Sequence, residues 1–480
     1  MYTNLKIGVF WNLAERFGTY IVRFVLGTIL ARLLTPSDYG VIAITLIIIT
    51  ICELFSDGGT FLTLIQRQKV NDIEYSTIFW FKLFVSIFMA IAIFIYSNDI
   101  SIFFYENELT SILKIISIVF VLSAMANIYK IILTNRMDFK NQSKSIIISS
   151  IIGGIIGIIF GYLNFGVWAL VYQTIIIYFV QLILLFYYAK WIPSFCFSIQ
   201  FLKSIRNISF GFFVYNFTNI IYRNLYPIFF GKSYSAEILG LFNRAQQLKN
   251  LPEHTIESVI NRIFFPILSQ NKDNESNFFD GIKTILSWLI FLNIPIMFLL
   301  FLNSKELVII LLTEKWIESA IYLELLSISA IFFPINLFLI NIVNVRGLPK
   351  FSFYINIFRI LIIIVFIFLF NERSSIFFTS LLMFESFFTL IILLVSINRF
   401  FDINIFKIFF NLQNIIWFNI FSFSIVYFLS EEFLKLSNHY YLICIKSSAF
   451  IVIWYLLMTV FNVRELIIIK TTILKKIKVK

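Results

Sequence analysis

Long apolar runs recur along the whole chain, and its polar positions gather either between those runs or on single faces within them. A helix rises 1.5 Å per residue, so about 20 apolar residues are needed to cross a bilayer. About fourteen segments approach or exceed that length. They centre on 8–34, 40–65, 75–96, 112–133, 146–162, 167–189, 209–230, 239–265, 282–302, 320–343, 351–370, 376–397, 415–429 and 441–461. The pattern predicts an all-α polytopic membrane protein. Its expected organisation is an N-terminal six-helix lobe over 1–190 and a linker at 191–208. A second six-helix lobe follows over 209–400, with two further helices and a basic tail over 401–480.

Several segments carry a polar stripe. In the first, Asn12, Arg16, Thr19 and Arg23 fall at helical spacing on one face. A charged side chain at mid-bilayer costs roughly 2.5–3.5 kcal/mol on insertion scales, so it turns toward protein or a wet cavity. A shift of 200 positions carries Arg23 to Arg223, Arg32 to Lys232, Gly40 to Gly240, Glu53 to Glu253 and Asp57 to Glu257. Because charges are rare in this chain, the coincidence points to a duplicated unit. Helix two presents Thr50, Glu53 and Asp57 on one face, and helix seven presents Asn216, Asn219 and Arg223. Helix eight has the most polar interior, with Gln247, Asn250, His254, Glu257 and Asn261 at steps of three and four, and Pro252 within that face. Two readings stand side by side. The arginines and amides line a cationic cavity shared by the lobes, or the arginines pair with Glu53, Asp57, Glu253 or Glu257 and merely hold helices together. Glu385 in helix twelve is a further intramembrane carboxylate, with Arg359 in helix eleven a possible partner.

The connections fix the orientation. One alternate set holds Arg67 and Lys69, then Arg136, Lys140 and Lys144, then Lys190, Lys203 and Arg206, and continues to the lysine-rich tail. The opposite set holds few cations, and 98–110 holds none. Positive connections face the cytoplasm, which puts both termini there. The N-terminus shows no signal-peptide pattern, so the first helix is expected to remain as a span.

Composition agrees. The 480 residues are 60% hydrophobic and 13% charged, about half the usual charged share. Mean hydropathy is +0.91. The net charge of +12 fits cytoplasmic anchoring against anionic lipid and not nucleic-acid binding. Three isolated cysteines suggest neither a metal site nor a disulfide framework, and no cofactor motif is present. Gly153, Gly157 and Gly161 form a small-residue stripe suited to close helix packing. Short connections disfavour a membrane-embedded polymerase or ligase, whose chemistry needs a folded extracytoplasmic domain.

Three stretches carry a family resemblance. They are 30–40 (LARLLTPSDYG) with 55–59 (FSDGG) and 64–69 (LIQRQK), then 241–270 (LFNRAQQLKNLPEHTIESVINRIFFPILSQ), then 312–316 (LTEKW). Together they resemble the bacterial lipid-linked polysaccharide flippases, the O-antigen, capsule and exopolysaccharide branch of the multidrug/oligosaccharidyl-lipid/polysaccharide exporter superfamily. The resemblance implies two pseudo-symmetric lobes in the bacterial inner membrane and a substrate of undecaprenyl-diphosphate-linked oligosaccharide. It implies alternating access, an ion gradient as the energy source, and work beside a polysaccharide polymerase and chain-length machinery. On that view Arg16, Arg23 and Arg223 meet pyrophosphate, and Asn216, Asn219, Gln247, Asn250 and His254 line the sugar path. Glu53, Asp57, Glu253, Glu257 and Glu385 are then the ion-coupling carboxylates. A small-molecule exporter of the same superfamily is the other transporter reading.

Overall fold

A computed structural model describes residues 18, 21–67, 70–260, 264–270, 274–370, 372–401, 405–432, 438–468 and 470–471. Among the described residues every regular element is helical. Helix α1 covers 21–33. It is followed by α2 (Pro36–Asp57), α3 (Thr60–Gln66), α4 (Asp72–Phe104), α5 (Glu108–Ile116), α6 (Ile118–Asn135), α7 (Phe139–Tyr162) and α8 (Val167–Ala189). Next come α9 (Ile199–Ser233), α10 (Ala236–Val259), α11 (Phe265–Gln270), α12 (Glu275–Leu302) and α13 (Ser304–Leu312). The chain continues through α14 (Ser319–Val345), α15 (Pro349–Leu369), α16 (Ser375–Phe401), α17 (Ile405–Glu432) and α18 (His439–Val460). Eleven helical spans among the described residues are long and apolar enough to cross a membrane. With α1 and the polar-faced α9 and α10 they account for the segments read from hydropathy. The chain is an all-α polytopic membrane protein.

Boundaries differ from the hydropathy reading, and three of the differences bear on the site. The second segment is two helices, because Gly58 and Gly59 adopt φ of 54° and 76° and end α2 in a left-handed turn. Pro252 does not break α10, which runs through it to Val259. The stretch after α12, expected as a bare connection, holds α13 and a 3₁₀ turn at Glu314–Trp316. It is too short to span, so a membrane-length window misses it.

The chain packs as two compact units, Met1–Asn243 and Arg244–Lys480. The first takes in α9, beyond the linker expected at 191–208, because α9 lies along α2 and α3. The Thr63 and Ser209 hydroxyls meet at 3.0 Å, and a Cβ on Gly59 would overlap the Ser209 carbonyl oxygen. In α7, Gly153 and Gly157 lie against α8 and Gly161 against Leu33 and Leu30 of α1, so the glycine stripe is a packing device. The second unit is built round α12, α14, α16, α17 and α18, with Phe291, Phe338, Leu393 and Phe450 in its core.

Two stretches 200 positions apart share one local structure. Both 31–40 and 231–240 end one helix, pass through a two-residue break and start the next. Thr35 caps α2 reciprocally with Asp38, its N–H donating to Asp38 Oδ2 at 2.8 Å. Ser235 does the same work for α10, accepting from the Ile238 N–H at 3.3 Å. The two starts cross at their glycines. A Cβ on Gly40 would overlap the Ala236 carbonyl, and one on Gly240 would overlap the Pro36 carbonyl.

Beside this crossing the Ala236 N–H donates to the Glu106 carboxylate, and Lys232 Nζ donates to the Phe103 carbonyl at 2.8 Å. Burial pushes the Glu106 carboxyl above its usual range and Glu108 adds to this, outweighing the Ala236 N–H. The folded state therefore holds the proton more tightly than the unfolded chain, and Glu106 costs stability as pH rises through its raised value. Glu106→Gln keeps an acceptor for Ala236 and removes that cost. Its melting temperature is expected to equal or exceed the parent's at neutral pH, with the gap closing on mild acidification. A gap that widens on acidification contradicts the assignment.

Candidate functional site

The polar faces of α2, α4, α6 and α8 meet inside the first unit. Ser123, Asn127, Lys130 and Thr134 recur along α6 at steps of four, three and four, so α6 presents one polar stripe. Lys82 of α4 is 1% exposed. Its Nζ donates to Asp57 Oδ1 at 2.7 Å and to Asn127 Oδ1 at 2.6 Å. A buried ammonium is tolerated only when paired and hydrogen-bonded, and here it has both kinds of partner. Asp57 also accepts from the Phe61 N–H at 3.3 Å, which ties the carboxylate to the start of α3. One turn earlier, Glu53 accepts from the Ser123 and Tyr178 hydroxyls, with the Lys130 ammonium as its charged neighbour.

This network balances itself. Two carboxylates face two ammonium groups, and the Arg23 charge is left over. Arg23 is exposed, and it acts electrostatically on Tyr178 of α8. Arg223 of α9 is exposed as well. Among the described residues neither arginine has a hydrogen bond or an ion pair. Asn219 of the same helix donates to the Tyr215 carbonyl at 2.9 Å, and Asn216 is half-buried. Asn12, Arg16 and Thr19 lie outside the described residues.

In the second unit the acids of α10 also have local partners. Lys249 pairs with Glu253, and His254 Nδ1 lies 3.0 Å from Glu257 Oε2. Gln247 is exposed and accepts from Arg244 Nη1 at 2.7 Å, while Asn250 is half-buried. Asn261 lies outside the described residues. Glu385 does not stand with these groups. It pairs with Arg359, Nη2 to Oε2 at 3.5 Å, and accepts from the Thr389 hydroxyl at 3.2 Å. Both members are under 10% exposed.

Within the first unit, Glu53 and Asp57 hold partners other than the two arginines, and on α10 Glu253 and Glu257 each have a partner on their own helix. Lys82, Ser123, Asn127, Lys130 and Tyr178 are missing from the sequence-based set. Lys82 carried the same signal as Arg23, a lone cation in an apolar run, and the α6 residues carried the same spacing signal as helix eight.

The motifs behind the family resemblance prove architectural. Thr35, Pro36 and Asp38 cap α2, Gly40 permits the crossing, and Gly58 and Gly59 make the turn beside Asp57. Arg244, from the Asn-Arg-Ala element, lies over the ring of Trp316, from LTEKW, at 5.8 Å. Two distant motifs therefore stabilise one another through a cation–π contact.

Helix order and breaks of this kind define a multi-pass all-α membrane fold. The chain matches the structure of the lipid II flippase MurJ in its inward closed conformation with a TM-score of 0.77 at 15% identity, covering 96% of this chain and 100% of that one. An inward-facing multidrug resistance MATE family transporter of the MOP superfamily matches with a TM-score of 0.63 at 12% identity, covering 83% and 95%. Identities this low speak to the fold alone. The family described as "Polysaccharide biosynthesis protein" matches residues 29–321, more than half the chain, and the chain belongs to that family. Similar curated proteins include the succinoglycan biosynthesis transport protein ExoT of Rhizobium meliloti (strain 1021), 23% identical over 66% of this chain and 65% of ExoT. The teichuronic acid biosynthesis protein TuaB of Bacillus subtilis (strain 168) is 24% identical over 68% of each chain. The lipopolysaccharide biosynthesis protein WzxC of Escherichia coli (strain K12) is 22% identical over 69% of this chain and 68% of WzxC. The matched stretches span about two thirds of these relatives' lengths.

Proposed function

We propose that this protein is a flippase that turns undecaprenyl-diphosphate-linked oligosaccharide units across the bacterial inner membrane for surface polysaccharide synthesis. One observation carries the reading. Arg23 and Arg223, which a shift of 200 positions relates, are exposed cations on α1 and α9 with no ion pair among the described residues, while Glu53 and Asp57 of the same unit hold other partners. An uncompensated guanidinium at bilayer depth is costly, and a diphosphate offers it a forked, doubly charged acceptor. Arg16 extends the same stripe. Asn216, Asn219, Gln247, Asn250 and His254 are the amide and imidazole groups assigned to the sugars, and the prenyl chain remains in lipid. Family membership and the exporter fold support the same substrate class. The multidrug-type alternative draws only on fold likeness, and a cationic drug is repelled by the surplus arginine charge.

The two six-helix lobes, 1–190 and 209–400, rock about the bound headgroup, with 191–208 as their cytoplasmic linker and 401–480 outside the repeat. The Gly40–Gly240 crossing supports this duplication. Both termini face the cytoplasm, and the polymerase and chain-length machinery receive the flipped unit. A cysteine placed in 98–110 is expected to react with an impermeant thiol reagent from outside, and one in 135–144 is not. The reverse pattern overturns the orientation.

Energy comes from a proton or sodium gradient acting on Asp57 and Glu257, which correspond under the repeat, with Glu53 and Glu253 beside them. In proteoliposomes holding the purified chain, flipping of a lipid-linked oligosaccharide is expected to require an imposed ion gradient and no nucleotide. Full transport without a gradient, or strict dependence on ATP, rejects the coupling scheme. Failure to flip any lipid-linked glycan under every gradient rejects the function.

A further inference from the structure

We infer that the cleft where α12, α17 and the end of α18 converge is a binding site for the phosphate of a lipid headgroup, separate from the Arg23 and Arg223 faces. The cleft lies within the second unit and has a volume of about 250 Å³. That is below the roughly 300–1,000 Å³ of pockets that engulf a drug-sized ligand, so it takes a headgroup and not an oligosaccharide.

Its lining has the chemistry of an anion site. Lys283 of α12 and Arg464, just past α18, face the cleft, and Asn411 and Asn414 of α17 add two amides. Among the described residues neither Lys283 nor Arg464 has a hydrogen bond or a carboxylate partner. Glu465 also lines the cleft, but it is buried and accepts from the Ser287 hydroxyl. Two free cations against one committed acid leave a net positive cleft with amide donors beside it. A phosphate answers that with charge and with several acceptor oxygens.

The location selects a lipid as the source of the phosphate. Lys283 lies near the start of α12, Asn411 and Asn414 near the start of α17, and Arg464 just after α18, so the cleft marks the level where three spans reach one membrane surface. Its walls then become apolar. Phe418 and Phe461 of the lining stack at 4.6 Å, and Phe461 is 58% exposed. A ligand with a phosphate head and hydrocarbon tails meets both halves of this surface, whereas inorganic phosphate meets only one. The helices beyond the two six-helix sets thereby gain a role: they complete a headgroup site against α12.

The test uses the purified full chain in zwitterionic detergent, with native mass spectrometry counting retained lipid. Phosphatidylglycerol is expected to be retained in preference to phosphatidylcholine. Lys283→Gln/Arg464→Gln should lower that retention by roughly tenfold or more, the scale of a lost charge-assisted contact. Arg399→Gln, a surface cation outside the cleft, should leave it unchanged, and Arg464→Lys should retain part of it. Added farnesyl diphosphate separates the two lipid sources. Displacement of phosphatidylglycerol assigns the cleft to prenyl diphosphates, and no displacement assigns it to ambient anionic phospholipid. Displacement by inorganic phosphate alone at equal concentration, equal retention of both phospholipids, or unchanged retention in a monodisperse double variant overturns the proposal. None of these outcomes depends on flipping, so the site stands or falls apart from the transport reading.

Discussion

An Arg23→Gln/Arg223→Gln double variant is expected to reach the membrane in parental amounts and to lose lipid-linked oligosaccharide flipping. The expectation separates folding from transport because the arginines lack ion-pair partners among the described residues. Removing a paired buried charge strands its partner, and that stranding is what destabilises. Here Asp57 and Glu53, the acids of the same unit's polar network, are held by Lys82, Ser123 and Tyr178, so neither is stranded. On the transport side each lost charge-assisted contact to phosphate costs roughly 2–5 kcal/mol, more than a tenfold effect apiece. Single Arg→Lys variants keep the charge but lose the fork, so they should transport partially. The measurement is flipping in proteoliposomes alongside fluorescence-detected size-exclusion of the same membranes. Parental flipping by a well-expressed double variant removes the arginines from the substrate site. Poor expression of that variant instead restores a structural role for them.

The bilayer explains why so much of the fold could be read from the chain. It demands membrane-length apolar helices, so hydropathy located the spans, and it makes interior charge rare, so a few charges matching at a 200-position shift pointed to a repeat. The Gly40–Gly240 match, a single column in that repeat, turned out to mark a backbone crossing between equivalent helix starts. Pairing within the first unit was not legible, whereas Arg359 was already a possible partner for Glu385 in the sequence. Asp57 and Lys82 are 25 positions apart, and Glu53 and Tyr178 farther still, so no periodicity within one helix links them. The break at Gly58 and Gly59 was hidden for a different reason. Apolar residues continue through α3, and hydropathy does not register a left-handed turn. Glu385 looked functional by the rule that membrane carboxylates usually are, but its pairing with Arg359 depends on how α15 and α16 pack. For Glu385 the structure therefore supplies a local packing partner, and its assignment to ion coupling rests on sequence alone.

The Lys82–Asp57 pair offers the second large effect, and it distinguishes holding from coupling. Lys82→Met leaves the Asp57 carboxylate with the Phe61 N–H as its one remaining donor among the described residues, inside a unit where Lys82 itself is 1% exposed. Breaking such a pair from one side costs roughly 3–5 kcal/mol, so the folded yield and melting temperature of the single variant should fall sharply. Replacing both partners is far gentler, because no unpaired charge remains. Lys82→Met/Asp57→Asn should therefore recover most of the folded protein. If Asp57 also exchanges the coupling ion, as proposed, this recovered protein should bind substrate but no longer respond to an imposed gradient. Gradient-driven flipping at the parental rate by the double variant would reduce the pair to a clasp between α2 and α4. A Lys82→Met single variant as stable as the parent would show that the ammonium does not compensate Asp57, and the coupling argument would lose its footing in this network.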